Sequence, residues 1–563
     1  MLPSFLFLLG ERETQRAANK NKSSPSLLLQ FASPVTQLSL FLSFSLTLIP
    51  LFLPSMFSRK QSPPSPPWTD DEKEKHYYYS KNKDTHFNNP HLRFGALVFV
   101  FLSLWFLVLL LWFPPKTTPI VEVEVDLVQK SQQQQNVHHH LIRTTQNPNN
   151  INTNTTGSAD TTSTSKSPFK VPTCDPSLSV YVHPLPAKFN LGLLDHCHAL
   201  NVYTNMCPHV ANRGLGQPHP KLGSAASWFA THQFIAEMIF HARVENHPCR
   251  TLDPTRASLF YVPFYGGLHA SSKFNEANLT ARDELAVDLV DYVQSQPWWK
   301  KHNGRDHFIA LGRTAWDFMR VTNGPDFGAN SLLNLPAVKN MSVLTVERHP
   351  WQGSNQHGLP YPSYFHPSAW QEMVAWQNRV RGMDRPHLFS FIGGPRKGLE
   401  KAAVRDEFIR QCGESTRCML LKCGSRAGKC HEPSEVLKVM SESHFCLQAP
   451  GDSFTRRSTF DSVLAGCIPV FSSPHTAYTQ YKWFLPGDVS TYSVYIDEKS
   501  DVSKRIEEEL LKFPNEKVTA MREKLIELIP SLTYAHPNAT NLGFGDAVDV
   551  ALASLAKHMQ KMT

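Results

Sequence analysis

The chain of 563 residues is too long for one hydrophobic core, so two or more domains are expected. Charged residues make up only 18% of it and the net charge is +8, which gives no polybasic signature and no reason to expect nucleic acid as a partner. Aromatic residues reach 11%, enough to furnish a core and still leave rings for a sugar-binding cleft.

The first apolar run, Leu38 to Leu53, is short and broken by Pro50. Met56 opens a polar stretch that makes a sensible cytosolic tail, so residues 1–55 are expected to fall outside the natural product. Residues 95–113, GALVFVFLSLWFLVLLLWF, carry no charge and are long enough to span a bilayer. Basic residues (Arg59, Lys60, Lys73, Lys75, Lys81, Lys83, Arg93) precede this segment, and Glu122, Glu124 and Asp126 follow it. The positive-inside rule therefore expects a retained signal anchor with residues 1–94 cytosolic and the remainder lumenal, a single-pass type II membrane protein. Residues 114–170, with Gln132 to Gln135, His138 to His140 and Asn/Thr-rich sequence, are too polar to bury a core and are expected as a disordered stem. Glycosylation sequons at Asn154, Asn278, Asn340 and Asn538 lie on the expected lumenal side, and one at Asn21 does not. All ten cysteines follow the anchor, which suits an oxidising compartment. The cluster Cys412 to Cys430 lacks paired CxxC units, so local disulfides are expected there rather than zinc. Cys446 and Cys467 sit in apolar runs and are expected as buried free thiols.

From Cys174 the pattern becomes globular. A strand is expected at Leu178 to Val182 and a helix over Ala226 to Val244. A second strand, Ala257 to Tyr265, closes at Gly266-Gly267. Helix (281–296) and strand (307–312) follow. After them come a strand from His387 to Ile392 ending at Gly393-Gly394, a helix at 399–411, a helix at Val436 to Met440 and a strand at Ser443 to Leu447. Residues 502–562 read as helical with breaks at Pro514, Pro530 and Pro537. Strand–loop–helix alternation in both halves predicts an α/β protein with parallel sheets covered by helices.

The stretch 451–471, GDSFTRRSTFDSVLAGCIPVF, organises the rest. A polar loop with Ser453 opens a helix bearing Arg456, Arg457 and Asp461. Gly466 ends that helix and Ile468 to Phe471 form a buried strand. Helix-terminal N–H groups with two arginines suit a phosphate, and an acid one turn on suits ribose hydroxyls. The alternative is a solvated surface helix. Gly393-Gly394-Pro395-Arg396-Lys397 reads as a turn letting backbone and Arg396 or Lys397 approach a ligand, or as plain turn chemistry. Asp306-His307 at a strand start is a general-base candidate, set against an Arg305–Asp306 ion pair holding a loop. Glu347 beside Trp351 is another base candidate, set against a solvated loop acid. Residues 361–367, YPSYFHP, suit a sugar-stacking surface or a rigid interdomain connection. No Asp-x-Asp occurs from residue 170 onward, so arginines and a helix dipole, rather than a metal, are expected to meet a leaving diphosphate.

The segments 253–265, 304–308 and 451–471 together resemble the exostosin-type glycosyltransferases, glycosyltransferase family 47. LHASS (268–272), GRTAWDF (312–318), YPSYFHP, FSFIGGPRKG (389–398), AYTQYKWFLP (477–486) and TYSVYI (491–496) are similar to its plant xyloglucan galactosyltransferase clade. The resemblance covers about residues 174 to 535 and implies a GT-B fold of two Rossmann-like domains facing a cleft, behind the N-terminal anchor. Residues 171–380 would bind the acceptor and 381–535 the UDP-sugar, with 536–563 a C-terminal helical tail. It implies an inverting Golgi enzyme moving galactose from UDP-galactose in β linkage onto xylose side chains of xyloglucan, as part of cell-wall synthesis. Carried over by motif, Arg457 and Asp461 match the diphosphate arginine and the ribose acid, with Arg456 or Arg457 meeting phosphate and Arg396 a second contact. Asp306, His307 and Glu347 stand as base candidates, and no cofactor or metal is expected. Alternatives are another UDP-sugar (galacturonate or arabinose) on xyloglucan or pectin, or a non-catalytic Golgi scaffold. The Golgi membrane and other Golgi transferases are expected partners.

Overall fold

The computed structural model describes Trp105, Cys174 and residues 178–561, apart from 322–327, 397, 425–427 and 541. The expected cytosolic tail, the anchor apart from Trp105, the stem, the start at Met56, the sequons at Asn21 and Asn154, and Lys397 lie outside the described residues. Among the described residues no helix is long and apolar enough to cross a membrane.

Two parallel sheets carry the structure. The first holds β1 (Val180–Val182), β2 (Arg250–Thr251), β3 (Leu259–Val262), β4 (His307–Thr314), β5 (Ser342–Glu347) and β6 (Gln356–Gly358), in the order β2-β1-β3-β4-β5-β6. Its central strands are apolar almost throughout because helices cover both faces. Phe308 and Ala310 of β4 share a core with Phe240 of α1 (Ala236–Glu245). Ile309 and Leu311, pointing the other way, pack with residues that include Ala270 of α2 (Gly266–Lys273) and Leu289 and Val293 of α3 (Leu279–Ser295).

The second sheet holds β7 (His387–Gly393), β8 (Cys418–Lys422), β9 (Ser443–Gln448), β10 (Ile468–Phe471) and β11 (Val494–Tyr495), in the order β11-β10-β9-β7-β8. Its helices are α4 (Trp370–Arg381), α5 (Val404–Glu414), α6 (Pro433–Ser441), α7 (Ser458–Leu464) and α8 (Asn515–Leu532). In each sheet the second strand lies outside the first and the third lies on the first strand's other side. The winding direction therefore reverses between β1 and β3, and between β7 and β9. Open parallel sheets bind ligands beyond the carboxyl ends of their strands at such reversals. The last helix, α9 (Ala547–Gln560), returns to the first half. There Arg243 Nε donates to Asp546 Oδ2 at 2.8 Å, and His247 Nε2 lies 2.9 Å from Asp549 Oδ1, all buried.

Several expectations are corrected. The helix expected over Ala226 to Val244 begins only at Ala236. Before it, Trp228 and Phe229 form antiparallel bridges to Phe365 and Pro218, and the Trp228 ring packs 4.6 Å from Trp376. The apolar spacing there serves tertiary contacts. Gly266-Gly267 does not merely close a strand but starts α2. Pro530 does not break α8, which continues to Leu532. The carbonyl that Pro530 leaves without its helical donor, Ile526 O, accepts from Gln377 Nε2 at 2.7 Å instead. Cys446 and Cys467 are not free thiols but a disulfide joining β9 to the start of β10. The other pairs are Cys174–Cys249, Cys197–Cys207, Cys412–Cys418 and Cys423–Cys430, the last two within the cluster expected to hold local bridges.

Candidate active site

At the reversal between β7 and β9 two loops lie side by side. One is Gly393-Gly394-Pro395-Arg396, leaving β7. The other is Ala449 to Arg456, leaving β9. Arg405, on the first turn of α5, ties them together. Its Nε donates to Gly394 O at 2.8 Å and its Nη1 to Pro450 O at 3.2 Å. A Cβ on Gly393 would strike this guanidinium, so the close approach requires glycine. Burial pushes the Arg405 guanidinium down to about 10, with further lowering from the charges of Arg456 and Arg396. Arg456 donates from Nη1 to Thr455 O at 2.6 Å and to Ser453 Oγ at 3.3 Å. Arg396 pairs with Asp452 at 3.4 Å, both side chains largely exposed. Three guanidinium groups thus gather at the carboxyl end of a parallel sheet, with Asp452 and Asp406 the acids acting on Arg405. That surplus of positive charge suits a diphosphate.

Arg457 and Asp461 stand differently. The helix, its end at Gly466 (φ +65°) and the strand after it form as the sequence predicts. Arg457, at the N-cap of α7, donates to Thr231 O of the first half at 2.7 Å and lies 4.1 Å over the Tyr364 ring. Its Nε is 3.3 Å from Asp461 Oδ2, and Asp461 Oδ1 accepts from Ser363 Oγ at 2.6 Å. Burial lowers the Arg457 guanidinium and raises the Asp461 carboxyl, against the pull each exerts on the other. In this state both groups tie α7 to the first half and to the segment 361–367. That segment is buried at Tyr361, Tyr364, Phe365 and His366, as a rigid connection would be.

The three base candidates do not come together. Glu347 ends β5 and is fully buried, so it is not a solvated loop acid. It accepts from Trp316 Nε1 at 2.7 Å, Thr455 N at 2.8 Å, Thr455 Oγ1 at 2.5 Å and Phe454 N at 3.3 Å. The carboxyl end of the first sheet is thereby bonded to the loop that carries Ser453 and Arg456. Asp306 and His307 lie at the opposite end of β4. Seven residues of strand, on the order of 23 Å, separate His307 from Thr314, which is in register with Glu347. His307 is fully buried, stacked 4.9 Å from Phe260, and its Nδ1 is 2.7 Å from Asp306 Oδ1. Asp306 is thus paired with His307, with His302 Nε2 a further 4.0 Å neighbour, and the expected pairing with Arg305 is not among the ion pairs of the described residues.

Two residues escaped the sequence reading. Arg405 lies inside an ordinary amphipathic helix, and no local pattern reveals its loop carbonyl partners. Glu237, on α1, accepts from Gly267 N and Leu268 N at 2.8 Å each and from Gly312 N at 2.9 Å. It fills the N-terminus of α2, just past the carboxyl end of β3, and burial pushes its carboxyl up to about 7 despite the three N–H donors. An acid within the run IAEMIF (235–240) was its only sequence signal.

The Exostosin GT47 domain model matches residues 174–510. A protein of Arabidopsis thaliana named probable xyloglucan galactosyltransferase GT17 is 65% identical over 385 residues, covering 68% of this chain and 84% of that protein. The Arabidopsis thaliana xyloglucan galactosyltransferase MUR3 is 44% identical over 389 residues, covering 68% of this chain and 62% of that one. Xyloglucan-specific galacturonosyltransferase 1 of the same plant is 39% identical over 387 residues, covering 68% and 57%. The chain thus spans less than two thirds of the length of the last two.

Proposed function

The chain belongs to the exostosin GT47 family, and from that membership we propose that it is an inverting glycosyltransferase moving galactose from UDP-galactose in β linkage onto xylose side chains of xyloglucan. The relatives' names supply the acceptor and the reaction class. The observation that carries the donor reading is the trio Arg396, Arg405 and Arg456, set between two loops where the winding of the second sheet reverses. We propose a GT-B arrangement, supported by two parallel sheets whose carboxyl ends meet at Glu347 and Thr455. The donor would lie on the second sheet and the acceptor on the first.

In the proposed step a base takes the proton of an acceptor xylose hydroxyl. That oxygen bonds to C1 of the donor sugar. The bond from C1 to the diphosphate oxygen breaks, and UDP leaves with the electron pair. Arg396 and Arg456 meet the charge that develops on the diphosphate, and Arg405 holds the two loops at the spacing this requires. Arg457 and Asp461 join the donor contacts only by exchanging their present bonds to Thr231, Ser363 and each other. The proposed setting is the Golgi membrane, with the catalytic domain lumenal and other transferases nearby.

Incubation of the purified protein with xylosylated glucan oligosaccharides and a panel of UDP-sugars, with chelator present, tests this. One hexose added from UDP-galactose is expected. Arg456→Ala should cut kcat/KM roughly a hundredfold or more at an unchanged melting temperature. Transfer that stops with chelator would refute the metal-free donor site, and full activity in Arg456→Ala would refute the phosphate seat. A second donor, UDP-galacturonate, stays in the panel because one relative is named a galacturonosyltransferase.

A further inference from the structure

Trp351 follows β5 by four residues and is 56% exposed. Its ring meets Phe454, from the loop after β9, at 5.8 Å and His475, just past β10, at 5.1 Å. Phe454 and His475 are themselves 5.2 Å apart. His349, 5.7 Å from Trp351, anchors the group to Trp316 at 4.3 Å. Rings from the carboxyl ends of both sheets therefore form one cluster in which Trp351 is more than half exposed.

We propose that Trp351, Phe454 and His475 form a subsite on which a pyranose ring of the polysaccharide acceptor stacks. The inference rests on the glycosyltransferase reading above and adds to it where the acceptor lies. The C–H face of a pyranose is apolar while its hydroxyls project sideways. An aromatic ring can cover that face and leave the hydroxyls in water. The degree of exposure selects the occupant. A small ligand such as a nucleotide sugar is held by enclosing most of its surface. An open platform suits one residue of a long chain whose neighbours continue past the site. Phe454 fixes the platform to the donor side, because its amide donates to Glu347 and its own loop carries Arg456. A ring stacked there lies against the loop that carries Arg456.

The test compares wild type, Trp351→Ala and Trp351→Phe, each with its melting temperature recorded. Steady-state kinetics with a xylosylated glucan oligosaccharide would be joined by saturation-transfer NMR on that oligosaccharide without donor. The alanine variant should raise the acceptor KM roughly five- to tenfold. It should leave the UDP-galactose KM unchanged and weaken saturation transfer, and phenylalanine should restore most of both. An unchanged acceptor KM overturns the subsite, as does a donor KM that rises by the same factor. A wild-type protein that neither binds nor glycosylates the oligosaccharide overturns the transferase reading itself, and that result is obtained without any variant.

Discussion

A carboxylate that accepts four hydrogen bonds has little capacity left for a substrate proton, and this decides how Glu347 is read. Its donors come from Trp316 and from residues 107 and 108 positions further along the chain, Phe454 and Thr455. The acid itself was legible in the sequence. Its partners were not, because contacts across a hundred residues leave no local pattern. The geometry makes Glu347 a positioning residue for the loop that carries Arg456. Glu347→Gln keeps the shape but sets an amide NH2 against N–H donors that an oxygen now accepts from, so it should raise the KM for the UDP-sugar while leaving the pH profile of kcat/KM in place. Glu347→Ala should chiefly raise the KM for the UDP-sugar. If the glutamine variant instead loses the acidic limb of the profile and falls about a thousandfold or more, Glu347 is the base after all. Asp306 and His307 read equally well as a catalytic pair in sequence, yet packing against Phe260 and position on the strand remove them from this edge.

Among the elements, those with strong local signals were the legible ones. The loop–helix–strand unit 451–471, the β7 strand and its glycines, and α3 all form close to where periodicity and turn residues place them. Residues 226–235 misled because Trp228 and Phe229 carry helical spacing but are claimed by isolated bridges to Phe365 and Pro218 and by distant rings. The Cys446–Cys467 bond misled in another way. Burial in apolar runs is shared by free thiols and by disulfides between adjacent buried strands. That bond closes a loop of 21 residues containing all of the loop 449–456 and α7. In the chain-entropy account, closing a loop of that size stabilises by about 3 kcal/mol. The double variant Cys446→Ala/Cys467→Ala should melt several degrees lower than wild type, and a change below about one degree would argue against the bond.

At the scale of the whole molecule, the alternation of strands and helices foretold two parallel sheets. It did not foretell that the chain's last helix crosses back onto α1 through Arg243, Asp546, His247 and Asp549. The described residues also include a set of imidazoles that burial, full or partial, keeps neutral. Burial pushes His183, His232 and His357 down to about 3 and His269 and His366 to about 4. The unfolded chain takes up these protons near pH 6.5 whereas the folded chain refuses them. Stability must therefore fall as pH drops from about 6.5 towards 4. Glu237 works in the opposite sense, since its raised carboxyl costs stability as pH climbs from the ordinary glutamate range to about 7, and Asp461, Glu498 and Asp549 are raised likewise, but the imidazoles that burial lowers, His209, His444, His475, His536 and His558 among them, outnumber these carboxyls. Melting temperatures at pH 7 and pH 5 should show the lower value at pH 5, and the reverse order would contradict the buried neutral histidines. Glu237 has a second consequence. Each half of the molecule contains a strand, a pair of glycines and a turn into a helix, the architecture that cradles phosphate elsewhere. In the first half that cradle already holds the protein's own carboxylate, bonded at three amides. Two halves of like design are thereby made unequal. One already holds an internal carboxylate, so under the donor reading proposed above a nucleotide would be left only the other.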